Sequence, residues 1–100
     1  METKNKLSFS LGQIAATAGA MEALDRTTTN PAELLKRHAT GDWGDLPEED
    51  KAANQDALRS GARLLSAYFL KDETKVWVIT EAANEDGRRP ATTLLLPEEY

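Results

Sequence analysis

Between Ala62 and Leu96 the chain carries three short runs rich in β-branched, leucine and aromatic residues: Leu64 to Leu70, Lys75 to Thr80, and Ala91 to Leu96. Charged or Gly/Pro-containing breaks separate them, which is the signature of strands in an antiparallel meander. Lys71-Asp72-Glu73-Thr74 is short enough for a hairpin, whereas Ala83 to Pro90 is longer and is expected to be a mobile loop. In the first run Leu65, Ala67 and Phe69 share one face, and Leu64, Ser66, Tyr68 and Leu70 share the other. In the second, Val76 and Val78 oppose Trp77 and Ile79. Apolar residues on both faces predict a sheet covered on two sides, or covered once and completed by a partner.

Upstream, Leu7, Phe9 and Leu11 alternate with Ser8 and Ser10, predicting a further strand over Lys6 to Thr17 with a bulge at Gly12. Ala18 to Asp25 has helix-forming composition, with Met21 and Leu24 three apart. Asn30-Pro31 is an N-cap followed by proline at the first helical position, and the helix it opens is expected to end near Ala39 with Gly41 as its stop. Asp45 is placed to cap a third helix with Pro47 in its first turn, ending at Ser60-Gly61. The expected fold is therefore α+β: an antiparallel sheet of about four strands, with two or three helices inserted between strand 1 and strands 2–4.

One hundred residues make one domain, with Met1 to Asn5 expected to be flexible. There is no cysteine, which removes disulfides, zinc–thiolate sites and thiol nucleophiles. The formal charge of −5 argues against direct nucleic-acid binding, because phosphate neutralisation by basic residues supplies most of that affinity. No apolar run is long enough to span a bilayer, and the charged start lacks a signal-peptide core, so a cytoplasmic location is expected.

Gly41-Asp42-Trp43-Gly44, the run from Lys75 to Ala82 and the terminal Ala91 to Tyr100 together resemble a widespread group of small bacterial proteins of about this length. These are found on plasmids and other mobile elements and labelled hypothetical or plasmid-related; some carry a restriction-subunit label that such a length does not support. The resemblance extends from Leu11-Gly12-Gln13-Ile14 to Tyr100. Thr17-Ala18-Gly19-Ala20 stands where Thr-Pro-Gly-Ala is expected, and Asn84 to Pro90 looks like an insertion. The resemblance implies a mobile-element setting and no reaction.

No residue pattern amounts to a reaction class, and the chain is not expected to be an enzyme. The serines lack a nucleophile-elbow context, and the glycines do not form a phosphate-cradling loop with a following lysine. His38, the single histidine, is expected to act as a helix C-terminal cation rather than a ligand. The informative cluster is Asp42, Asp45, Glu48, Glu49 and Asp50 around Trp43. It reads either as a dipole-favoured helix start with a core tryptophan, or as a negative patch with an aromatic anchor for a basic protein partner. The functional expectation is a small acidic protein of a mobile element acting through protein–protein contacts, in the manner of an inhibitor of a host defence complex. Two alternatives stand beside it. One is a small-molecule or divalent-metal binder centred on His38, Asp42 and Asp45. The other is a homodimer formed by pairing of an edge strand at Ala91 to Leu96. No cofactor or resident metal is expected.

Overall fold

The computed structural model describes residues 7–100. The elements run β1 (Gln13–Ala16), α1 (Ala18–Arg26), α2 (Pro31–Ala39), α3 (Glu48–Ser60), β2 (Leu64–Phe69), β3 (Lys75–Thr80) and β4 (Ala91–Leu95), followed by a 3₁₀ turn over Pro97–Glu99. The four strands form one sheet in the order β1-β4-β3-β2. The fold class is thus α+β, but the sheet is mixed. β2–β3 and β3–β4 are antiparallel, while β1 lies parallel to β4 with Gln13 opposite Ala91. All three helices lie in the chain between β1 and the hairpin strands, and together with them form the crossover that a parallel pair requires.

Each helix follows from its local sequence. Thr17 caps α1 through its side chain, which accepts from the Ala20 amide. Asn30 caps α2 by accepting from Ala32, with Pro31 at the first helical position. At α3 the expected Asp45 cap is not formed. Pro47 occupies the N-cap position without a side-chain hydrogen bond, and the helix start relies on Glu48, Glu49 and Asp50 in its first turn. Asp45 is engaged elsewhere, its backbone N–H donating to the Ala67 carbonyl at 2.7 Å. Gly61 ends α3 in the left-handed conformation.

The long first strand is also corrected. Only Gln13–Ala16 is paired; residues 7–12 are not strand, and Lys6 lies outside the described residues. The alternation of Leu7, Phe9 and Leu11 has another origin. Phe9 turns inward against His38 and Trp43, Leu7 faces solvent, and the Leu11 carbonyl accepts from the buried Thr92 hydroxyl. Gly12 has φ +68°, and a Cβ there would run into the Arg89 carbonyl and Pro90, so the expected irregularity is a turn into the strand rather than a bulge within it.

Alternation in β2, β3 and β4 sorts the sheet into two faces. One face carries Leu64, Ser66 and Tyr68 of β2, Val76, Val78 and Thr80 of β3, and Thr92 and Leu94 of β4. Tyr68, Val76, Val78 and Leu94 pack against Ala20, Ala23 and Leu24 of α1 and Leu34 of α2. A second cluster joins Trp43, Ala57 and Leu64, flanked by Phe9, Leu46 and Leu58. The other face holds Leu65, Ala67, Phe69, Trp77, Ile79 and Leu95, and is covered in part by the C-terminal turn, where Tyr100 meets Trp77 edge-on at 5.8 Å. The strand at Ala91 is not an edge. β4 has a neighbour on each side, so the dimer expected through its exposed edge has no free strand there. The sheet ends instead on β1 and β2.

Candidate functional site

Trp43 is 4% exposed and belongs to the core. Its ring lies 6.3 Å from Phe9, nearly parallel to it, and meets the edge of His38 at 5.8 Å; among the described residues its indole N–H has no partner. The backbone explains how it is buried. The Trp43 carbonyl accepts from Ala67 and the Asp45 amide donates back to Ala67, so this segment runs as a short bridge beside the β2 edge. Gly44 sits at the closest approach with φ +77°; a Cβ would collide with the Ala67 carbonyl and come within 2.7 Å of the Tyr68 ring.

The five carboxylates around it are exposed. Asp42 is held by Arg37, with Nε donating to Oδ2 at 2.6 Å, while its other oxygen accepts from Gly44 N–H. The hydrogen bond from Arg37 holds the Asp42 carboxyl below its ordinary pKa of 3.8, and the same contact raises the Arg37 pKa. The Arg37 guanidinium also lies 4.4 Å over the Tyr68 ring, whose hydroxyl donates to the Asp42 carbonyl. Glu48 has a loose i,i+3 contact to Lys51 at 3.6 Å. Among the described residues no cation pairs with Asp45, Glu49 or Asp50.

The sequence reading missed the aromatic that does reach solvent here. Phe69, the last residue of β2, is 53% exposed and lines a shallow cleft together with Arg37, Asp42 and Asp45. A second shallow cleft, lined by Leu46, Asp50, Ala53, Asn54, Arg63 and Leu65, lies further along the same strand. Nothing in the residue pattern distinguishes Phe69 from Leu65 and Ala67 on its face. Its exposure follows from what lies along the β2 edge: Asn54 covers Leu65 and the Trp43–Asp45 segment covers Ala67, and neither reaches Phe69 at the strand's end.

No family model, curated protein or solved structure matches the chain. No described helix is long and apolar enough to cross a membrane.

His38 is fully buried, with Nδ1 2.6 Å from the Ser66 hydroxyl and Nε2 2.9 Å from Thr80, which in turn bonds Thr92. Burial, assisted by the Arg89 charge, pushes its pKa down to about 4, so at neutral pH it carries no charge to offer the α2 dipole. This corrects the expected helix-terminal cation. A hydroxyl–imidazole pair can serve nucleophilic catalysis, but Ser66 and His38 are both sealed from solvent and a substrate has no access to them. Both ring nitrogens are taken by hydroxyls, which leaves none for a metal shared with Asp42 and Asp45. Among the described residues no group of three potential ligands is assembled.

Proposed function

We propose that this protein binds a basic protein partner through the acidic surface beside β2, with Asp45, Glu49 and Asp50 supplying unpaired charge, Asp42 and Glu48 their ion-paired neighbours, and Phe69 the aromatic contact. The observation carrying this reading is the pairing of uncompensated carboxylates with an exposed aromatic: Asp45 and Phe69 line one cleft, and no cation answers Asp45, Glu49 or Asp50 among the described residues. Such a surface speeds encounter with a positive face, and a desolvated aromatic supplies contact energy. Trp43 contributes by holding the segment in place from beneath, not by touching the partner. The resemblance to small plasmid-borne proteins directs the choice of partner: a cytoplasmic nucleic-acid-binding complex of host defence, whose phosphate-binding groove the carboxylates would occupy.

The test uses the full chain and two variants, Glu48→Lys/Glu49→Lys/Asp50→Lys and Phe69→Ala, each first checked for native folding by circular dichroism and thermal melting. Proteins captured from bacterial lysate are identified, purified and titrated directly. Support requires a partner with a positive face, whose affinity falls with added salt and drops at least about tenfold with the charge-reversed variant. Equal binding by the parent and the charge-reversed protein sinks the reading.

A further inference from the structure

A separate cleft of about 460 Å³ opens between the segment preceding β1, the C-terminal end of α3 and the loop before β4. Arg89 is the most deeply buried polar group on its wall, only 7% exposed, yet among the described residues no carboxylate pairs with it. Three of its five N–H groups are spent on backbone: Nη1 donates to Ala62 and Glu81 at 2.8 and 3.1 Å, and Nη2 to Ala57 at 3.0 Å. Nε makes no hydrogen bond among the described residues and is not sealed from solvent. A half-satisfied guanidinium with an open N–H, on the wall of a cleft that also carries serine hydroxyls, is a ready donor to an oxyanion.

We propose that this cleft binds a small monocarboxylate with an apolar body, the carboxylate meeting Arg89 with the hydroxyls of Ser10 and Ser60. The wall also contains Phe9 and Leu58, which suit a ring or short alkyl group. A single negative charge is specified by what opposes a larger one. Glu85 lines the same cleft, Arg59 is already paired with Asp56 at 2.8 Å, and the carbonyl end of α3 adds partial negative charge. This inference is independent of the acidic surface, which lies on other residues.

Benzoate is the probe, titrated into isotopically labelled full-length protein at constant ionic strength, with chloride and inorganic phosphate as comparisons. The expected result is saturable amide shifts at Ser8–Ser10, Ser60–Gly61 and Ala83–Arg89, absent with chloride and weaker with phosphate. Ser10→Glu sets a carboxylate at the cleft without touching the Arg89 contacts to α3, and should weaken benzoate at least about tenfold at unchanged melting temperature. Shifts no larger than those of chloride, tighter binding of phosphate, or benzoate binding indifferent to Ser10→Glu would each overturn the assignment.

Discussion

The carboxyl and imidazole groups of this chain respond to acid in different pH ranges, and the side chain that decides the upper range is His38. Its ordinary pKa is 6.5 and its folded value about 4. Between those values the unfolded chain takes up a proton that the folded protein refuses, so stability is fully present above pH 6.5 and declines as the pH falls toward 4. The loss amounts to about 3 kcal/mol in total. Asp42, whose pKa is lowered, adds its own loss only as the pH falls through and below its ordinary 3.8. Urea unfolding of the parent at several pH values between 4 and 7 should therefore show a falling midpoint. In His38→Gln, which keeps a polar side chain without the titration, most of that slope should vanish. At Gly44 the limit is steric instead. Gly44→Ala must hold alanine at φ +77° against the Ala67 carbonyl and the Tyr68 ring, and is expected to cost about 2 kcal/mol or more in the same assay. A loss below half of that would mean the bridge beside β2 can move away. Neither residue announces its role in the sequence: a lone histidine near a helix end reads as a cation until the strand hydroxyls around it are placed.

At the scale of elements, β2 shows how an edge strand is protected. Asn54 of α3 accepts from Leu65 N–H and donates to the Leu65 carbonyl, and the Trp43–Asp45 segment does the same for Ala67 with its own backbone. Two successive outward-facing positions are thereby satisfied by groups far away in sequence. Asn54→Leu removes one clasp and leaves both Leu65 groups without it. An expected loss of about 2 kcal/mol, with faster amide exchange at Leu65, follows from the cost of unpaired backbone. Unchanged exchange at Leu65 would show that the bridge at Ala67 suffices. The helices and the three later strands were legible because caps, glycine stops and alternating runs are local signals. The position of Asn54 was not, since its partner is a backbone eleven residues on, and a polar side chain on a thinly apolar helix reads as solvated. The same limit applies to β1. Phe9 alternates like a strand residue because it fills a gap between α2 and the sheet, and a period of two in a short stretch does not reveal which neighbour imposes it.

For the molecule as a whole, the C-terminal turn is fastened to the N-terminal end of α1. Glu99 accepts from the Thr17 hydroxyl and from the amides of Gly19 and Leu96, hydrogen bonds that hold its pKa below the ordinary 4.5. Glu99→Gln should speed amide exchange at Gly19 and at Leu96 together; a change at one alone would show that turn and helix are not coupled through this side chain. The fold class was readable from element order, but the parallel pair was not, because nothing in the residues of β1 says whether it approaches β4 or β2. That pairing has a consequence for a chain made from its N-terminus. Gln13 finds its place only against Ala91, so β1 leaves the ribosome with no strand to join until Ala91, 78 residues later, has followed it. Closure of so long a loop is entropically late, and the hairpins of β2, β3 and β4 can assemble before it. During synthesis, then, the first made of these four strands is the last to be placed.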